Sequence, residues 1–399
     1  MSFLRKVADG IFYIGASDKR IQLFENLFPV PEGVSYNSYL ISDEKTAVLD
    51  GADESVLDEY LKQLALALDG RKLDYIVVNH MEPDHSGAVA ELIYRYPDAK
   101  LVGNAKTKSI LASYLGEKAA ESMLVVADGD TLSLGKRTLK FLFTPMVHWP
   151  ESMMCYELSE GILFSQDAFG SFGSVDGNIF DDEAGFGEAY VTEMRRYYSN
   201  IVGKYGAQVS AALKKAAGLK IGMICPLHGL ILRSRIAEVL ELYCQWSSYA
   251  PEKKGVLIAY ASMYGNVKRA AFTLAAMLAE KGVSEIQVAD VSKTDVSYLV
   301  SSAFRFSHIA AASVTYNAAL YPKMEHFLCD LKALNVQNRV FAFIEGGSWA
   351  PASGKAMKEC VCALKNSRVI GATVSVKGAS VDTTALEKLA EELAADINA

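Results

Sequence analysis

Asn79-His80-Met81-Glu82-Pro83-Asp84-His85-Ser86-Gly87 sets two imidazoles and two carboxylates almost side by side, directly behind the apolar run Tyr75-Ile76-Val77-Val78. That run reads as a buried strand, because it is too short for a helix and rich in β-branched residues. Pro83 and Gly87 then predict a loop. Groups of these types so close together repel one another or lie idle unless a cation binds them. A solvated loop can carry the same cluster, so the rest of the chain has to decide.

The chain has only 6 histidines, and two more of them stand in similar settings. Phe141-Leu142-Phe143-Thr144-Pro145-Met146-Val147 runs into His148, and Ile221-Gly222-Met223-Ile224-Cys225-Pro226-Leu227 runs into His228. Between them, Gly161-Ile162-Leu163-Phe164-Ser165-Gln166 delivers Asp167. Several strand ends that each carry a ligand-type residue point to one metal site at the edge of a sheet.

With 399 residues, of which 51% are hydrophobic, the chain has material for two cores. A net charge of −7 and the lack of a basic run argue against nucleic acid and an anionic membrane surface. The N-terminal residues lack the apolar core of a signal peptide, and no stretch approaches the roughly 20 apolar residues of a membrane span. Cys155, Cys225, Cys244, Cys329, Cys360 and Cys362 form no Cys-x-x-Cys pair, which excludes a zinc ribbon or a rubredoxin-type iron centre. They read as reduced core residues of a cytoplasmic protein, with Cys360 and Cys362 taken as helix packing rather than a redox pair.

In order along the chain, Ser55 to Leu68 has helical spacing, Gly87 to Tyr96 reads as the helix after the ligand loop, and Glu188 to Ala217 is mainly helical. Tyr249 to Gly255 is the candidate linker, which divides the chain into residues 1–250 and 251–399. Beyond it, Val256 to Tyr260, Glu285 to Ala289, His308 to Ser313, Val340 to Ile344 and Val369 to Val374 alternate with helical stretches. This rhythm predicts an α/β doubly wound parallel sheet.

Its first strand opens into Ser262-Met263-Tyr264-Gly265-Asn266-Val267 and then a helix, which suits a single phosphate on free backbone N–H groups. The loop is neither a Walker loop nor Gly-x-Gly-x-x-Gly, so nucleoside triphosphates and NAD are poor candidates. Ser313-Val314-Thr315-Tyr316-Asn317 and Gly346-Gly347-Ser348-Trp349-Ala350 follow the third and fourth strands. In a sheet of order 2-1-3-4-5 these three loops meet at the switch point, where FMN would bind and where Tyr316 or Trp349 could stack on the ring. His308 and His326 belong to neither constellation and read as structural.

Together these residues resemble the flavodiiron proteins. The run His80-x-Glu82-x-Asp84-His85 followed by His148-Trp149-Pro150, Asp167 and His228 is similar to their metallo-β-lactamase-like half, and the chain from about residue 251 to their flavodoxin half. The resemblance implies an N-terminal αββα sandwich followed by a flavodoxin-like sheet. It further implies two non-haem irons, one held by His80, Glu82 and His148 and the other by Asp84, His85 and His228, with Asp167 bridging. It implies FMN, reduction of O2 to water or NO to N2O in the cytoplasm, an electron donor such as rubredoxin, and a head-to-tail homodimer that can pair into a tetramer. Trp149 is expected near the flavin, and Tyr197, or alternatively Tyr198, beside the substrate. The sequence departs from the family pattern at Val267, at Val314, at Glu345-Gly346-Gly347 and at Leu23-Phe24-Glu25, where some members place a His near the metals. The alternative is a zinc-dependent hydrolase of the metallo-β-lactamase class with a flavodoxin-like appendage. Glu82 counts against it, because such hydrolases typically carry a third His there.

Overall fold

The structure, a computed structural model, describes residues 4–399. The chain divides into two compact units: one runs to Tyr198 and includes Ala207–Tyr243, and the other comprises Ser199–Gly206 and Cys244–Ala399.

Two large sheets form the core of the first unit. One has 7 strands, in the order Arg5–Ala8, Ile11–Tyr13, Tyr39–Ser42, Thr46–Leu49, Tyr75–Val77, Lys100–Gly103 and Leu124–Val125. The other has 5, in the order Thr131–Ser133, Thr138–Phe143, Met153–Glu157, Ile162–Gln166 and Met223–Pro226. Tyr39, Leu49 and Val77 of the first share one buried cluster with Phe141, Cys155, Phe164 and Cys225 of the second. The two sheets therefore face each other across a common core. Ile76 and Val48 are fully buried on the opposite side of the first sheet, where Leu57–Leu68 packs its Tyr60, Leu61 and Leu64 face. This is the predicted sandwich.

Strand direction explains why the site lies where it does. Tyr75–Val77 runs parallel to both its neighbours, so its C-terminal end opens at the sheet edge with no hairpin in the way. Ile162–Gln166 and Met223–Pro226 are also parallel, and they release Asp167 and His228 side by side. The amide of Met153 donates to Asn79 O at 3.1 Å, which joins the two sheets at this edge.

One local expectation changes. The stretch after His80 is not an open loop, because Pro83–Ser86 forms a helical turn with Glu82 at its N-cap and Pro83 at N1. Proline is pre-set for that position and gives up only an amide that would have lacked a partner. The helix behind it is correspondingly short, Val89–Arg95.

In the second unit the main strands take the order Ile286–Asp290, Lys253–Ala261, Phe306–Tyr316, Val340–Gly347 and Val374–Lys377, which is 2-1-3-4-5. Asn266–Glu280 and Thr383–Asn398 pack on one face through Ala270, Leu274, Leu389 and Leu393. Val296–Arg305, Pro322–Ala333 and Ser353–Val361 pack in succession over the other. The fifth strand, expected over Val369–Val374, is split: Arg368–Val369 pairs parallel with Val340–Phe341, Gly371 at φ +69° breaks the extended run, and the strand resumes as Val374–Lys377. Only Cys155 and Cys225 are buried core cysteines; Cys244, Cys329 and Cys362 lie on outer helix surfaces, and Cys360 is half-buried. Among the described residues, no helix is long and apolar enough to cross a membrane.

His308 is held between Ser307 Oγ at 2.8 Å and Asp396 Oδ2 at 2.7 Å. His326 is half-exposed beside Asp330. Burial lowers the His308 pKa against the pull of Asp396, and the Arg368 bond lowers that of Asp396. Both groups therefore bind fewer protons in the folded state. Their stabilisation is full above about pH 6.5 and is lost on acidification, first that of His308 and then, below about pH 4, that of Asp396. We expect His308→Gln to flatten the fall in stability between about pH 7 and 5. Urea unfolding across that range, followed by hydrogen exchange in Phe306–Tyr316, measures it; an unchanged slope would contradict it.

Candidate metal centre and flavin cavity

The structure brings all seven predicted metal ligands into two adjoining groups, His80, Glu82, His148 and Asp167, and Asp84, His85 and His228. In the first, His80 Nε2 lies 3.1 Å from Glu82 Oε2 and 3.0 Å from Asp167 Oδ2. His148 Nε2 lies 2.9 and 3.2 Å from the same two oxygens. In the second, Asp84 Oδ2 is 3.3 Å from His85 Nε2 and 3.2 Å from His228 Nε2. Asp167 Oδ1 is 3.0 and 3.5 Å from those two nitrogens. Asp167 thus turns one oxygen to each group, as a bridging carboxylate does.

The donors fit a pair of divalent ions. Asp84 Oδ1 and Oδ2, Asp167 Oδ2, His148 Nε2 and His228 Nε2 are buried with no hydrogen-bond partner among the described residues. Such orphaned groups are costly unless something coordinates them. Metal bonds of about 2.1 Å give neighbouring ligands an edge of about 3.0 Å in an octahedron and about 3.4 Å in a tetrahedron. The four histidine–carboxylate spacings of the first group, 2.9 to 3.2 Å, fall in this range. Mixed imidazole and carboxylate ligation of this kind suits iron as well as zinc.

The electrostatics agree. Burial alone would raise the pKa of Asp167, but the His80 and His85 charges and the adjacent His148 hold it well below the usual range. Burial opposes protonation of His148, yet the adjacent Asp167 and Glu82 carboxylates lift its pKa to about 9. His80 is raised still further against its burial, by Asp167, Glu151 and Glu82. Glu82 and Asp167, both held below the usual carboxylate range by the neighbouring histidines, therefore gather positive charge here, as protons when metal is absent.

The elements around the ligands hold them rigid. Asp50, buried, accepts from Asn79 N and Asn79 Nδ2, each at 2.7 Å, and from His80 N at 3.2 Å. His228 Nδ1 donates to Ser35 O at 2.7 Å. Rings of Phe24, Tyr36 and Tyr197 stand 5.4, 5.9 and 5.4 Å from the His228 ring and wall that side against water. Tyr197 thus lies beside the ligands, and burial with the Asp167, Asp84 and Glu82 charges raises its hydroxyl pKa well above the ordinary value. The ring of Tyr198 packs instead on Tyr243 at 5.0 Å. Trp149 stands edge-to-face on His80 at 5.3 Å.

Two groups at this site were missed in the sequence. Glu25 sits in a tight turn at φ 52° and lines a 710 Å³ cavity shared with Glu82 and Asp84. Burial and the facing Glu82 charge raise its carboxyl pKa to about 8. The sequence showed only that no His stands there. Glu151, behind His80, carried no signal apart from its place two residues after Trp149.

In the second unit the three predicted loops line one cavity of about 410 Å³. Ser262, Met263, Tyr264, Asn266, Val267, Val314, Thr315, Asn317, Gly346, Gly347, Ser348, Trp349 and Ala350 all face it. Gly265, Ser313 and Tyr316 do not. Gly265 shapes the loop at φ +89°, Ser313 is buried with its hydroxyl on Val314 O, and Tyr316 packs on Tyr321. Ala318, Val376 and Gly378 complete the wall. The helix Asn266–Glu280 has no side-chain cap, which leaves its first amides for a phosphate. Glu345 faces away from the cavity and holds Gly354 N and Ser375 Oγ.

Comparison with known proteins gives the affiliation. A family model described as "ODP family beta lactamase" matches residues 34–229. An anaerobic nitric oxide reductase flavorubredoxin of Vibrio vulnificus is 31% identical over 86% of this chain and 70% of its own. The crystallised rubredoxin oxygen:oxidoreductase of Desulfovibrio gigas superposes with a TM-score of 0.91 at 28% identity, covering 99% of both chains. A flavodiiron protein of Thermotoga maritima gives 0.90 at 26%, also covering 99% of both. The chain belongs to the flavodiiron family. An uncharacterized protein of Methanocaldococcus jannaschii is 34% identical over 89% of this chain and 88% of its own.

Proposed function

We propose that this flavodiiron protein is a cytoplasmic reductase of O2 to water, of NO to N2O, or of both, with two irons in the first unit and FMN in the second. The bridging position of Asp167, with one oxygen on each histidine group, is the observation that carries this reading. His80, Glu82 and His148 would hold one ion, and Asp84, His85 and His228 the other. When bound, a ferrous pair and a reduced flavin together supply the four electrons that dioxygen needs, and the pair alone supplies the two that two NO molecules need.

The residues of the chain perform the remaining tasks. Glu82, Asp84 and Asp167 contribute three negative charges against the four positive charges of the ions, which leaves one positive charge for an anion such as hydroxide to balance. Phe24, Tyr36 and Tyr197 exclude water from the His228 side, and Tyr197 offers a hydroxyl whose proton is retained at neutral pH. The flavin phosphate would sit on the amides that open Asn266–Glu280, with its ring beside Trp149 of a second copy in a head-to-tail homodimer. The name of the Desulfovibrio gigas relative makes a rubredoxin the natural electron donor. Anaerobically reduced protein, mixed in turn with O2 and NO under an electrode, tests the activity and ranks the gases. Consumption of neither would refute it.

Val267 departs from the family's hydroxyl residue, and the structure shows what it does instead. A Cβ added at Gly346 would come 2.4 Å from Val267 Cγ2, so the glycine makes room for the valine. Gly346→Ala is expected to weaken FMN binding by about tenfold or more, since overpacking costs roughly 1–3 kcal/mol. Adding Val267→Ala should restore it. Flavin fluorescence titration decides; undiminished binding in Gly346→Ala would contradict the packing account.

A further inference from the structure

Glu151 is 1% exposed and lies outside the seven ligands. Its Oε1 is 2.9 Å from His80 Nδ1 and accepts the Met81 amide at 2.9 Å. Its backbone carbonyl accepts from Asn104 Nδ2 at 2.5 Å, and Asn104 also caps the helix Ala105–Leu115, so the carboxylate is clamped in place. Oε2 is buried with no partner among the described residues, and the only ion pair Glu151 makes among them is with His80. With a metal bound, the carboxylate would keep the His80 proton on Nδ1 and leave Nε2, which faces Glu82 and Asp167, free to ligate.

The other group has no such support. His228 Nδ1 donates to a neutral carbonyl, Ser35 O, and His85 Nδ1 has no partner among the described residues. A carboxylate behind an imidazole makes it a more basic ligand than a carbonyl or nothing does. We infer that Glu151 is a positioning residue that makes the His80–Glu82–His148 half-site the tighter of the two metal sites. This rests on the proposed diiron reading and adds an order of loading to it.

Metal-free protein titrated anaerobically with Fe2+, or with Co2+ as a spectroscopic probe, against a competing chelator tests the inference. The wild type should bind two ions. Glu151→Gln, of the same shape, and Glu151→Asp should weaken one of them by about 10–100-fold and leave the other within about threefold. In a His228→Ala background, Glu151→Gln should still weaken the remaining ion by that factor; in a His148→Ala background it should not. Equal losses at both sites, or no loss at either, overturn the role of Glu151. A wild-type chain that binds fewer than two ions overturns the diiron reading itself, and this inference with it.

Discussion

Asp167→Ala is expected to leave the purified chain with less than one bound metal ion and to reduce gas consumption by more than about a hundredfold. The side chain gives Oδ2 to His80 and His148 at 3.0 and 3.2 Å, and Oδ1 to His85 and His228 at 3.0 and 3.5 Å. Its removal leaves four imidazoles around a buried hole with only Glu82 and Asp84 to balance two divalent ions. Asp167→Asn separates charge from shape, because it retains one acceptor oxygen and should hold about one ion, weakly. Elemental analysis beside far-UV circular dichroism reads the outcome. A folded Asp167→Ala chain that keeps two ions would remove the bridge from the account.

Arg339→Met should destabilise the second unit by roughly 3–5 kcal/mol and cost it FMN. Arg339 is 1% exposed. Its Nε donates to Ala303 O at 2.6 Å and its Nη2 to Phe304 O at 2.9 Å, which satisfies carbonyls at the end of Val296–Arg305. Its Nη1 reaches Tyr249 O at 2.7 Å and Gln337 O at 2.8 Å. Methionine fills the volume but leaves these carbonyls buried without donors. Lysine keeps the charge without the planar fork and should fall between the two. The next strand, Val340–Gly347, carries Gly346 and Gly347 to the flavin cavity, so disorder beginning at Arg339 reaches the cofactor. Urea unfolding monitored by flavin release measures the effect; a loss below about 1 kcal/mol would show that water replaces the guanidinium without difficulty.

The sequence disclosed most where a single chemical requirement acts locally. Each metal ligand stands just behind an apolar strand, and parallel strand ends fall together, so the seven side chains could be collected before their geometry was known. The regular alternation of strands and helices pointed to a doubly wound parallel sheet; it does not fix the strand order, and 2-1-3-4-5, one of the orders such sheets take, is the one found. What escaped depended on tertiary contact. Pro83 reads equally as a breaker and as the first residue of a helical turn, and only the packing of Glu82 at the N-cap decides. Gly265, Ser313 and Tyr316 lie in the same three loops but outside the cavity lining, because a loop's membership of a cavity does not fix which of its residues face it. Val376 and Gly378 reach the same cavity from the second half of a split strand that runs on beyond the expected end at Val374. Glu25 and Glu151 carry no motif. One acts through a turn remote in sequence, the other through a buried bond to His80, and neither distance is written in the residue order.

The most direct test of the central claim is the metal and flavin content of the anaerobically purified chain, together with its Mössbauer spectrum. Two irons per chain, magnetically coupled through a shared bridge, and one FMN are predicted. Zinc in both positions with no flavin would contradict the account and favour a hydrolase.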